Sequence, residues 1–89
     1  MQIEYDPAKR DATLLQRGLD MADAVEIFDS EILTVEDDRI DYGEPRFLTV
    51  GYLRGRMMFV AWTPRGNARR VISVRKANDR EIAKLSPND

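Results

Sequence analysis

Apolar residues recur along this chain in two rhythms, and the rhythm changes near residue 32. Before that point the spacing is helical. Met21, Ala24, Val25 and Phe28 fall at i, i+3, i+4 and i+7, the core-facing stripe of one helix. Asp20 stands where an N-cap belongs, and Asp23 and Glu26 follow where the helix macrodipole favours negative charge. An earlier helix opens at Asp6-Pro7, carries Ala8, Ala12 and Leu15 as its apolar face, and stops at Gly18. Ahead of it, Gln2 to Tyr5 reads as a short strand. After residue 32 the spacing is extended. Ile32 to Glu36 is a strand, and Asp37 to Pro45 a polar loop. Arg46 to Leu53 and Arg56 to Thr63 are two long strands around a tight Arg54-Gly55 turn. Pro64 to Asn67 makes the next turn, Ala68 to Arg75 is the last strand, and a closing helix starts near Asn78, with Glu81 placed for a capping box. The order β-α-α-β-β-β-β-α predicts an α+β fold, an antiparallel sheet with helices on one face.

Such a sheet leaves its other face open. Leu48, Val50 and Tyr52 share one side of their strand, and the small Thr49 and Gly51 share the other, where a ligand could come close. In the last strand Ile72 and Val74 are expected to point to the helices and Ser73 and Arg75 to the open side. Arg70 has the parity of Ile72, so the pleat is expected to separate it from Arg75 and leave it at the rim of the core.

The 89 residues predict a single domain spanning 1–89. Cysteine is absent, which removes disulfides, thiolate metal sites and thiol nucleophiles. Histidine is absent too, so imidazole acid–base chemistry is excluded along with the commonest transition-metal ligand. The acidic run Glu36 to Glu44 lacks the Asp-x-Asp-x-Asp-Gly order of a calcium loop and reads as solvated, with no metal expected. No apolar run approaches the ~20 residues of a membrane span, and the first ten residues lack the apolar centre of a signal peptide. A cytoplasmic location is expected.

Charge changes the picture more than composition does. Residues 1–44 hold four cations against thirteen carboxylates, and residues 45–89 ten cations against three. Eleven of the fourteen cations are arginine, the side chain that forks onto phosphate oxygens. Arg46, Arg54, Arg56, Arg69, Arg70, Arg75 and Lys76 all lie on, or end, the three long strands. Two readings stand: solubilising charges at strand ends, some paired with the acidic half, or a surface for a polyanion.

Four segments together resemble the BrnT family of type II toxin–antitoxin systems: IEYDPAK at residues 3–9, RGLDMADAVEIF at 17–28, YGEPRFLTVGYLRGRMMFVAWT at 42–63 and RRVISVRKANDREI at 69–82. The last is similar to the family's Arg-Ile-Ile-Ser-Ala-Arg-x-Ala run. The resemblance implies a RelE-like fold, ribonuclease activity and an antitoxin, BrnA, whose ribbon-helix-helix part reaches DNA on behalf of the pair. The chain departs from the pattern at Thr13–Gly18, where the family shows Asn-x-x-Lys-His-Gly, and at Gly43-Glu44-Pro45-Arg46, where it shows Gly-Glu-Glu-Arg. It also lacks the Tyr often found near the C-terminus.

Arg46, Arg70 and Arg75 survive from the family pattern; on that basis Arg46 and Arg75 are expected to clamp the phosphate in a metal-free, cofactor-free cleavage of RNA, with Arg70 helping or locking the site. Fixed guanidinium forks can hold a phosphodiester in line and stabilise the charge that grows on it. Arg54, Arg56, Arg69 and Lys76 are further candidate contacts to substrate. Glu44 and Glu81 are candidate general bases, and Lys76 among arginines is a weaker one. The competing reading is a binding module without catalysis, whose basic sheet face holds nucleic acid or an acidic protein segment.

Overall fold

The computed structural model describes residues 1–86, so the last three residues of the expected domain lie outside the described residues. The element order agrees with the sequence pattern. Strand β1 (Gln2–Glu4) leads into α1 (Pro7–Arg17), and a 3-10 turn (Met21–Asp23) runs into α2 (Ala24–Asp29). Then come β2 (Leu33–Glu36), β3 (Phe47–Leu53), β4 (Arg56–Arg65), β5 (Ala68–Lys76) and α3 (Asp79–Leu85). The strands form one sheet in the order β1-β5-β4-β3-β2. Neighbours run antiparallel except β1, which lies parallel to β5 at one edge; α1 and α2 carry the chain from β1 to β2 at the other edge. Among the described residues no helix is long and apolar enough to cross a membrane.

The caps fall where the sequence places them. Asp6 and Asp20 each accept a backbone N–H two residues on, and Gly18 ends α1 in the left-handed region at φ 68°. Asn78 and Glu81 exchange both bonds of a capping box. The β3–β4 turn puts Arg54 as well as Gly55 at positive φ, the mirror-image turn that suits the twist of a hairpin.

The faces of the elements differ from expectation. Ala8, Ala12 and Leu15 look outward, Leu15 with 88% of its surface exposed. Helix α1 is held instead by polar side chains: the Arg10 guanidinium forks onto Asp20 at 2.8 and 3.0 Å, and Arg17 Nη1 donates to Val74 O at 3.0 Å. In α2 the buried set is Met21, Ala24, Ile27 and Phe28, with Val25 half-exposed. The tighter 3-10 start turns the stripe and brings Ile27 inward.

Strand β3 is reversed relative to its expected faces, whereas Val74, Ser73 and Arg75 of β5 face as expected. Thr49 and Gly51 point to α2. A Cβ on Gly51 would lie 2.2 Å from Ile27 O, so this glycine admits the helix and not a ligand. Thr49 Oγ1 accepts from Trp62 Nε1 at 2.8 Å inside the main core. Leu48, Val50 and Tyr52 look to the opposite face, where Val50, Met57 and Phe59 form a second apolar cluster with Leu85 of α3 packed on it. Pro64 and Arg65 are strand, leaving Gly66-Asn67 as the turn.

A bulge in β5 matters most for function. Ala61 pairs with Ser73 but Trp62 pairs with Val71, leaving Ile72 as the extra residue. Val71 and Val74 therefore both enter the core. The parity of everything before the bulge is flipped. Arg70 sits opposite Thr63, and Ser73 and Arg75 sit opposite Ala61 and Phe59, alternate residues of one side of β4. Arg70 and Arg75 thus share the face away from α2, although a regular strand would have split them.

Candidate functional site

Arg46, Arg65, Arg70 and Arg75 all emerge on that opposite face, but they do not form one group. A cleft of about 220 Å³ gathers Arg46, Arg65 and Arg70 with Lys9, Asp6 and Glu44. Four parts of the chain build it: the first turn of α1, the approach to β3, the end of β4 and the start of β5. The approach to β3 is fixed by its backbone. Thr63 Oγ1 donates to Pro45 O at 2.6 Å, and Asp37 N donates to Arg46 O at 2.8 Å. The guanidinium of Arg46 lies 3.9 Å from the centre of the Tyr42 ring, a cation–π contact that fixes its plane.

The ion pairs in this cleft are long. Glu44 lies 3.5 Å from Arg46 Nε and 3.6 Å from Arg65 Nη2, and Arg70 Nη1 lies 3.6 Å from Glu4. None reaches hydrogen-bond geometry, and Arg46 Nε is buried with no hydrogen-bond partner. A buried donor left unmatched costs free energy that an anion's oxygen would recover. Four cations and two carboxylates line the cleft, with Glu4 a third carboxylate beside Arg70, an excess of positive charge that suits a phosphate group.

Arg75 is different. Its guanidinium lies 4.3 Å from the Phe59 ring centre and forks onto Glu81 at 2.8 and 2.9 Å. Those bonds, with a further one from Asn78 N, hold the Glu81 carboxyl down at about 2, and Arg75 is pushed up by the same pair. A carboxylate with so little proton affinity, and with both oxygens engaged, is a weak base. Arg75 opens on a second cleft of about 410 Å³, floored by Val35, Leu48 and Ala61, bordered by Ser73 and walled on its far side by Glu36, Asp37, Asp38 and Arg39. The Arg70 and Arg75 rungs are four β4 residues apart, roughly 13 Å along the strand, and the two side chains line different clefts.

The remaining candidates lie elsewhere. Arg69 is on the α2 face, its guanidinium over Trp62 and Phe28 at 4.3 and 4.7 Å from the ring centres. Arg54 pairs with Asp23 at 3.5 Å. Arg56 and Lys76 line a third cleft at the far end of the sheet, beside Tyr52 and Ile82. Lys9 and Arg65 were not foreseen as site residues. Arg65 has the parity of Thr63, a usable signal once β4 is carried past Pro64. Lys9 reaches the cleft only because β1 pairs with β5, which no local pattern announces. Among the described residues no group of three or more acidic side chains is arranged to hold a metal ion.

Comparison with known proteins agrees with the resemblance read from the sequence. A family model described as the ribonuclease toxin, BrnT, of type II toxin-antitoxin system matches residues 5–81. No curated protein matches the chain.

Proposed function

The chain belongs to the BrnT ribonuclease toxins of type II toxin–antitoxin systems, and we propose that it cleaves single-stranded RNA at the Arg46–Arg70 cleft without a metal ion. Arg46 and Arg70 grip the non-bridging oxygens of the scissile phosphate, with Arg65 flanking them. Glu44 takes the proton of the 2′-hydroxyl. The 2′-oxygen attacks phosphorus, and the bond from phosphorus to the 5′-oxygen breaks. Lys9 returns a proton to that oxygen, leaving a 2′,3′-cyclic phosphate on one fragment and a 5′-hydroxyl on the other. The gathering of Arg46, Arg65 and Arg70 with Glu44 in one cation-rich cleft is the observation that carries this reading.

Arg75 holds a neighbouring phosphate of the same strand after giving up Glu81. The toxin acts in the cytoplasm and is neutralised there by a BrnA-like antitoxin carrying a ribbon-helix-helix domain; DNA is reached only through that partner. Purified protein in EDTA should cut single-stranded RNA to fragments ending in cyclic phosphate. Arg70→Ala should lower the single-turnover rate by about 10²–10³-fold, the usual cost of removing one well-placed oxyanion donor. Binding of RNA with no cleavage under any of these conditions would leave the non-catalytic binding module as the better description.

A further inference from the structure

At the other edge of the sheet the chemistry is inverted. β2 pairs with β3 on one side and, among the described residues, with no strand on the other. Leu33 and Val35 point to the same face as Val50 and Leu48, yet they stay 40% and 45% exposed, and nearby Ile40 is 62% exposed. Apolar side chains left at an unpaired edge form a template for another strand.

Around this edge Glu31, Glu36, Asp38 and Asp41 are exposed and make no ion pair among the described residues. Between Glu31 and Asp41 the sole cation is Arg39, and its guanidinium is taken by Asp37 at 2.8 and 3.0 Å. A second copy of this edge would set carboxylate against carboxylate, and a nucleic acid would be repelled. The charge that blocks both selects a cationic partner.

We propose that the β2 edge is a docking site for an extended protein segment in which Lys or Arg alternates with branched apolar residues, added to the sheet as a strand outside β2. Its apolar side chains would cover Leu33 and Val35, and its cations would face the carboxylate rim. The partner then meets the toxin three strands away from Arg70 and need not cover the Arg46–Arg70 cleft, although it borders the Arg75 cleft, which Val35 also lines. The inference does not depend on RNA cleavage, because peptide binding reads it directly.

The probe is a synthetic peptide of about eight residues alternating Arg and Val, with a Glu–Val peptide of the same length as control, added to the ¹⁵N-labelled full chain. The cationic peptide should shift amide signals of residues 31–41 and their β3 partners. Its binding should weaken about tenfold as salt rises from about 50 to about 500 mM. The double variant Glu31→Lys with Leu33→Ser should bind it at least about tenfold less tightly while keeping the native spectrum elsewhere. Equal response to the acidic peptide, no binding at all, shifts confined to other surfaces, or β2 shifts that grow with protein concentration in the absence of peptide would each overturn the proposal.

Discussion

Single residues decide what this sheet can hold. Gly51 shows how a correct local observation takes its meaning from the fold. A glycine in a strand marks a close approach, and the sequence shows that much. Only the structure shows that the approaching group is the Ile27 carbonyl. Gly51→Ala should therefore destabilise the protein by about 1–3 kcal/mol, the cost of forcing extra volume into a packed interface, read as a lower urea midpoint; an unchanged midpoint would show that α2 does not lie where it is placed here. Tyr42 is a positioning residue for Arg46. Its ring orients the guanidinium, so Tyr42→Phe should keep cleavage near wild type, whereas Tyr42→Ala should reduce kcat about tenfold with little change in KM. Equal losses in both variants would point to the hydroxyl and away from the ring.

At the scale of elements, order was legible and facing was not. Caps and turns are written in residue types at fixed spacing, so Asp6, Asp20, Gly18, Arg54-Gly55 and the Asn78–Glu81 box could be read directly. Facing depends on phase, and phase was changed by two short irregularities: the three-residue 3-10 start of α2 and the single extra residue Ile72 in β5. Without that bulge Arg70 would have sat at the rim of the core, as expected; with it, Arg70 joins Arg46. Helix α3 buries no residue and is tied to the sheet by Leu85 and by the Arg75–Glu81 pair. Glu81→Gln keeps the capping box, since glutamine serves at that position, but removes the charge that competes for Arg75. RNA should then bind several-fold more tightly at low salt; unchanged affinity would mean that Arg75 does not exchange partners. The same pair sets a pH dependence. The Glu81 carboxyl falls from an ordinary 4.5 to about 2 in the folded state. Its stabilisation is therefore present above about 4.5 and is lost as pH falls toward 2. Glu81→Gln should flatten the acid limb of a plot of urea midpoint against pH, with the Asp20 carboxyl, also held at about 2 by Arg10, and the Asp37 carboxyl, lowered by Arg39, supplying what slope remains.

The whole molecule separates its charges, and the separation follows the sheet. The acidic half supplies α2, β2 and the following loop; the basic half supplies the three long strands. The imbalance of the two halves was plain in the sequence. Which arginines converge was not, because Arg75 turned to α3, Arg69 to the aromatic core and Arg54 to Asp23. The proposed mechanism requires Arg46 and Arg70 to grip the same phosphodiester and Arg75 another. A double-mutant cycle on single-turnover RNA cleavage tests this most directly. Arg46→Ala and Arg70→Ala should be strongly coupled, the double variant losing far less than the product of the two single losses, while Arg75→Ala combined with either should be close to multiplicative. Independent effects of Arg46 and Arg70, in variants that retain the native fold, would contradict a shared phosphate.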